Sequence, residues 1–298
     1  MKNAELKSKI GNRKSKIRFG WLPDLPDRRD VPFHAVFRWP APFPALVDLR
    51  GKCSPVEDQG DLGSCTAQAL VAALEFLELS SLSSPSDKSK IANPKSKMSR
   101  FHDLSRLFVY FNEREREGNI SSDSGAMIRT GIKVLKSLGV CREDKWPYDI
   151  SRFRNKPSGE CYREAADHQI TAYQRLTTLT EMKECLAMGL PFVFGFSVYE
   201  HVMSAEVAQT GIIRLPGRDE RMVGGHAVMA VGYDETRKVF FFRNSWGADW
   251  GSAGYGALPY AYFESRELSD DFWCIQGTES NLYACYLRSP IKPEMMLA

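Results

Sequence analysis

The apolar positions change their period partway along the chain. Over residues 65–79, Ala67, Leu70, Val71, Leu74 and Leu77 recur at the i, i+3, i+4, i+7 spacing of a helix. Residues 104–117 and 126–138 have the same habit, and Gly139 stops the second. Residues 181–188 predict a shorter helix, closed by Gly189 and Pro191. Beyond residue 190 the pattern turns β-like: 192–199, the apolar run 227–231 ending at Gly232, 239–243 and 255–262 read as strands. Helices first and strands later predict an α+β protein with two lobes. No internal repeat is present.

Two stretches fall outside this pattern. Residues 1–45 carry Pro23, Pro26, Pro32, Pro40, Pro42 and Pro44, which forbid long regular elements, yet also Trp21, Leu22, Phe33, Phe37, Trp39 and Phe43. So many aromatic side chains predict an extended arm packed on the body. Residues 80–100 are rich in Ser, Lys and Pro and read as a surface insertion.

Composition narrows the class without naming a function. The 298 residues are 43% hydrophobic and 26% charged, which is globular, and a net charge of +3 gives no case for nucleic acid. No apolar run approaches a bilayer span, so no stable membrane insertion is expected. The first twenty residues hold seven Lys/Arg and one Glu with no apolar core of a signal peptide. They read as a solvated basic tail, the alternative being contact with a membrane surface or an acidic partner. The expected location is the cytoplasm, or outside the cell without a classical signal. The seven cysteines (Cys53, Cys65, Cys141, Cys161, Cys185, Cys274 and Cys285) are odd in number, irregular in spacing and lack a CxxC pair. That predicts mostly free thiols and no structural zinc.

One cysteine stands apart. Cys65 opens the first predicted helix after the loop Gln59-Gly60-Asp61-Leu62-Gly63-Ser64. A helix N-terminus and a nearby imidazolium both favour a thiolate, the nucleophilic form. Most free cysteines are merely small buried hydrophobes, so the flanking residues decide. The amide of Gln59, with the Cys65 backbone N–H, can form an oxyanion hole. Among five histidines, His226 alone sits between a glycine pair, Gly224-Gly225, and an apolar strand; His34 and His102 read as loop residues, and His168 and His201 have no motif around them. Asn244, in Asn244-Ser245-Trp246-Gly247, can accept from an imidazole N–H and fix its tautomer, with Trp246 excluding water. Nucleophile, base and orienting group are then all present, and a thiolate–imidazolium pair of Cys65 and His226 is expected.

These segments resemble the papain family of cysteine peptidases, including its short-armed bacterial branch. The resemblance rests on Ser54-Pro55-Val56-Glu57-Asp58-Gln59-Gly60, Gly63-Ser64-Cys65, His226-Ala227-Val228 with Val231-Gly232-Tyr233, and Asn244-Ser245-Trp246-Gly247 with Trp250-Gly251 and Gly254-Tyr255. Asp48-Leu49-Arg50, and Gly139-Val140 followed by Trp146-Pro147-Tyr148, add to it. It implies a cleft between a helical lobe and an antiparallel β lobe. It also implies Cys65 as nucleophile, His226 as acid/base, Asn244 as orienting group and Gln59 as oxyanion donor. Gly125 and Ala126 would bind the substrate backbone; Met127, Ile128, Gly195 and Ala227 are candidates for the pocket taking the side chain two residues before the cut.

The expected organisation is an arm over 1–45, serving as an inhibitory pro-segment, and a catalytic domain over 46–298. The insertion near 80–100 and a C-terminal extension near 264–298 belong to that domain. The expected activity is an endopeptidase acting on protein or peptide substrates as a monomer, with no metal or organic cofactor. An acyl transferase or amidase on the same fold, and a non-catalytic binding protein, are the alternatives. Four departures qualify the resemblance. Leu62 and Thr66 stand where the family signature has Cys and an aromatic residue. The histidine lies farther from the cysteine than the usual roughly 130–150 residues. Gly225 replaces an Asp often found before the histidine. No long helical pro-region precedes the domain.

Overall fold

The computed structural model describes residues 17–35, 42–81 and 101–277. The insertion near 80–100 and Cys285 fall almost wholly or wholly outside them. In the arm, β1 (Trp21–Leu22) is followed by β2 (Leu46–Asp48) and the long helix α1 (Cys65–Ser81). Then come α2 (Arg106–Glu117), β3 (Ala126–Met127), α3 (Ile128–Ser137), α4 (Gly159–Ala165), β4 (Ala172–Arg175) and α5 (Leu179–Ala187). The last part holds β5 (Phe192–Tyr199), α6 (Ala205–Thr210), β6 (Met222–Asp234), β7 (Val239–Arg243), β8 (Tyr255–Pro259), α7 (Tyr260–Phe263) and β9 (Ser269–Gln276). Helices α1, α2 and α3 pack together, and α1 also packs on β5, β6 and β9. The large sheet runs β4-β9-β5-β6-β7-β8, with β2 also on β6, and every pairing in it is antiparallel. This is the α+β, two-lobed arrangement expected.

Helix α1 is the centre of the molecule. Every residue from Cys65 to Leu77 is buried. Ala67, Ala69, Ala72 and Ala73 keep it slim enough to be surrounded, and alanine is also the best helix former. A helix buried on all sides must satisfy its polar residues internally. Glu75 does so by accepting from Ser54 Oγ (2.6 Å), the Leu104 amide (3.0 Å) and Arg106 Nη2 (2.9 Å). Arg106 is placed for this by its position one residue after Ser105, which caps α2 by accepting from the Phe108 amide (3.1 Å).

Three sequence readings need revising. Residues 126–138 are not one helix: Ala126 and Met127 are extended and pair with the arm, and the helix starts at Ile128. Gly125, at φ +73°, makes the turn that allows this. Residues 255–262 are not one strand: β8 stops at Pro259, which has no N–H for a ladder, and α7 buries Tyr260, Tyr262 and Phe263. Residues 264–277 are no appendage. They supply β9, which lies inside the sheet between β4 and β5, with Phe272, Trp273, Cys274 and Ile275 buried.

Removing the Glu75 carboxylate leaves a buried guanidinium short of its partner. Glu75→Ala is therefore expected to cost about 3 kcal/mol in a denaturant titration, the lower end for a broken buried pair, because Asp103 and Glu57 still neighbour Arg106. A loss below about 1 kcal/mol would show that the pair is not what holds α1 to α2.

Candidate active site

Cys65 is the first residue of α1, and the turn before it is tied on both sides. The Gly63 amide donates to Asp123 Oδ1 (3.0 Å), the Ser64 hydroxyl bonds Tyr148 Oη (2.5 Å), and the Gln68 amide donates back to the Ser64 carbonyl (3.0 Å). Gln59 is equally fixed. Its amide N–H donates to the Ser245 carbonyl (2.8 Å), its Oε1 accepts from Ser245 Oγ (2.6 Å), and its Nε2 donates to the Leu62 carbonyl (2.9 Å). The side-chain amide cannot flip without losing both bonds, so its N–H2 points toward the turn that carries Cys65.

The histidine and asparagine come from the sheet. His226 lies on β6, and Asn244 directly follows β7, the next strand across. His226 Nε2 and Asn244 Oδ1 are 2.8 Å apart. An acceptor there puts the proton on Nε2 and leaves the lone pair on Nδ1, which has no hydrogen-bond partner among the described residues. The Ser245 amide also donates to Asn244 Oδ1 (2.8 Å) and holds the oxygen in place. Trp246 stacks on the imidazole, ring centroids 4.6 Å apart at 26°, and covers this bond. The next residue along β6, Ala227, turns its backbone amide to the Cys65 sulfur. Gln59, Cys65, His226, Asn244 and Trp246 are thus brought together.

Their ionisation differs from expectation. Burial pushes the Cys65 thiol up to about 12, against the pull of the Ala227, Gly20 and Thr66 backbone groups. Burial likewise pushes His226 down to about 4, only partly offset by Asn244. Burial thus disfavours charge on both groups, the direction opposite to the expected ion pair, while the arm lies over them.

Residues 18–24 run through the cleft. The Arg18 carbonyl accepts from Gln59 Nε2 (3.1 Å). The Gly20 amide faces the Cys65 sulfur, and the Gly20 carbonyl accepts from the Ala126 amide (2.8 Å). Trp21 and Leu22 pair parallel with Ala126 and Met127. The Trp21 ring lies on bare backbone: a Cβ on Gly195 would sit 2.0 Å from it, and one on Gly225 2.8 Å. Phe19 fills the same role over Gly224. Gly195 and Ala227 are register partners on β5 and β6, while Ile128 is fully buried at the start of α3.

Beyond Trp21, a set of charges that the sequence does not reveal anchors the arm. Trp21 Nε1 (3.0 Å) and the Asp24 amide (2.7 Å) both donate to Asp271 Oδ2. Asp24 in turn accepts from the Arg129 amide (3.0 Å) and Trp273 Nε1 (2.9 Å). Asp30 pairs with Arg129 (2.6 Å) and Arg175 (3.4 Å), and Arg175 also holds Asp270 (3.0 Å) and Asp271 (2.9 Å). These residues come from the arm, α3, β4 and β9. No spacing links them, and the run Asp270-Asp271-Phe272-Trp273 is their sole visible trace.

Comparison with known proteins gives the family. Residues 109–266 match the family model described as "Papain family cysteine protease". The chain is 38% identical, over 93% of its length and 92% of the relative's, to the uncharacterized peptidase C1-like protein L477 of Acanthamoeba polyphaga mimivirus. This chain belongs to the papain family of cysteine peptidases. Among solved structures, xylellain, a cysteine protease from Xylella fastidiosa, is 40% identical and superposes with a TM-score of 0.74, over 88% of this chain and 96% of that one. Mouse pro-cathepsin H is 28% identical over 73% of the peptidase, and the match spans only 61% of that relative. No helix among the described residues is long and apolar enough to cross a membrane.

The covered site makes a kinetic prediction. In the intact peptidase, alkylation of Cys65 by iodoacetamide should be slow at pH 7 and still be rising above pH 9, because burial holds the thiol near 12. Mass mapping of the labelled peptide separates Cys65 from the other thiols. A midpoint below the ordinary value of about 8.5 in the intact chain would contradict the buried, neutral state.

Proposed function

We propose that this peptidase is an endopeptidase using Cys65, His226, Asn244 and Gln59, and that its N-terminal arm is an inhibitory pro-segment. With the cleft open, the Cys65 thiolate attacks the carbonyl carbon of a peptide bond. The C=O pair moves onto oxygen, where Gln59 Nε2 and the Cys65 N–H receive it. His226 gives its Nδ1 proton to the departing amine, leaving a thioester on Cys65. His226 then takes a proton from water, whose oxygen attacks the thioester, releasing the acid and restoring the Cys65 thiolate beside a protonated His226. Asn244 makes and breaks no bond; it keeps Nε2 protonated and the ring aimed. No step calls for a metal or an organic cofactor.

The observation that carries the inhibitory reading is the course of the arm. A substrate would run, N to C, from the pocket at Gly195 and Ala227 toward Cys65. The arm runs the other way: the Arg18 carbonyl rests on Gln59, Gly20 faces the sulfur and Trp21 fills the pocket. It uses the site's donors while presenting the backbone in reverse, so it occupies the cleft without offering a bond to cut. The similarity to a pro-form, mouse pro-cathepsin H, is consistent with such an arrangement.

Trp21→Ala in the full chain removes the arm's main apolar anchor, a truncation that costs about 3–5 kcal/mol when a tryptophan leaves a packed site. Hydrolysis of an unfolded polypeptide, and labelling of Cys65 at pH 7, should both rise by about tenfold or more. Equal rates in the two proteins would refute inhibition by the arm. In that activated background His226→Ala should lower kcat by about 10²–10⁴-fold, the usual worth of a general acid–base. Asn244→Ala should lose less and keep a measurable rate, and equal losses would contradict the separate roles.

A further inference from the structure

We infer that Asp271 determines the specificity of the pocket now filled by Trp21, and that the peptidase favours substrates whose side chain there is flat and apolar but ends in a neutral N–H donor, tryptophan above all. This deepens the peptidase reading above and rests on it.

One oxygen of Asp271 decides the matter. Asp271 is buried on β9, with 1% of its side chain exposed, and its backbone sits at φ +58°, a conformation costly for most residues but tolerated by Asp, Asn and Gly. Its two oxygens have different partners. Oδ1 accepts from Arg175 Nη2 (2.9 Å), a bond within the body of the protein. Oδ2 accepts from Trp21 Nε1 (3.0 Å) and from the Asp24 amide (2.7 Å), and both donors belong to the arm. When the arm leaves the cleft, Oδ2 loses both. A phenylalanine or leucine side chain entering in place of Trp21 would seal that oxygen from water and give it no donor. Sites built to hydrogen-bond a substrate group discriminate strongly against analogues that lack it, because the site's own polar atom is left unpaired.

The walls set the shape. The ring lies against the bare backbone of Gly195 and Gly225, where any Cβ would collide with it, so the pocket is a slot for a planar group. Charge favours a neutral donor over a cation. Arg175 touches Asp271, and both Arg175 and Arg129 lie over the Trp273 ring, 5.3 and 5.4 Å from its centroid. With Asp24 and Asp30 withdrawn along with the arm, two guanidinium groups and the carboxylates of Asp270 and Asp271 balance. A lysine or arginine side chain would then gain no net attraction. Trp21 reaches the pocket from a chain running backward, but the slot and the acceptor at its floor do not depend on chain direction.

The test uses the full chain carrying Trp21→Ala, which vacates the pocket, and peptides identical except for Trp, Phe, Leu or Lys two residues before the cut. The expected kcat/KM for Trp exceeds that for Phe by about tenfold or more. The preference should vanish in Asp271→Gly, which suits the positive φ, and in Asp271→Asn, whose amide turns its N–H2 to the pocket once its oxygen serves Arg175. Binding separates this idea from catalysis. With Cys65→Ala added, calorimetry of the same Trp and Phe peptides should show the same ratio and the same loss in the Asp271 variants. Hydrolysis with Phe equal to Trp, or a preference that survives both Asp271 variants, overturns the inference while leaving the peptidase reading intact. Absent hydrolysis with an Asp271-dependent Trp preference in binding would do the reverse.

Discussion

Burial of α1 on every side is the constraint from which the site follows. A helix enclosed by α2, α3 and the sheet has only its ends free to meet solvent or ligand, and Cys65 is at its first residue. The enclosure also forces a polar skeleton inside the molecule. Glu75 must find Arg106 and Ser54, and Arg243 at the end of β7 donates to that same Ser54 hydroxyl (2.8 Å). Since Asn244 is the next residue after Arg243, the bonds that satisfy the helix also fix where the asparagine stands. Fold stability and site geometry share these contacts.

Access to Cys65 depends on a second condition, the absence of side chains along the seam. Gly195, Gly224 and Gly225 leave the β side bare, and Gly125, with positive φ, lets the opposite edge come within hydrogen-bonding reach of a chain in the cleft. At Gly20 a Cβ would lie 1.7 Å from the Gly63 carbonyl, so the arm itself has to be bare where it passes the turn before Cys65. At Gly225 a side chain would likewise strike Trp21.

Much of this was legible in the sequence because it rests on local pattern. The helix at 65, the strands at 192–199 and 239–243, and the Gln59, Cys65, His226, Asn244 and Trp246 cluster are each marked by periodicity or by a motif of a few residues. What escaped depends on contacts distant in sequence. Ala126 and Met127 have helical neighbours on one side, and only the pairing with Trp21 and Leu22 makes them extended. The joining of Asp24, Arg129, Arg175 and Asp271 needs four separate elements in place. The pocket floor was missed for the same reason: residues 264–277 resemble nothing in particular until β9 is seen inside the sheet.

The arm's two effects on the site are physically one. The segment that fills the cleft lies over the thiol and the imidazole, and burial there disfavours charge on both. If the arm inhibits as proposed, blocking access and switching off the nucleophile need no separate devices. The anchorage, by contrast, lies away from the reacting groups. Gly20 and Arg18 contribute backbone contacts near Cys65, whereas the indole of Trp21 and the carboxylates of Asp24 and Asp30 hold the arm to Arg129, Arg175, Asp271 and Trp273. Grip and blockade are thus set by different residues. The strength of the arm's hold can vary through the charged anchor while the reactive centre stays as it is.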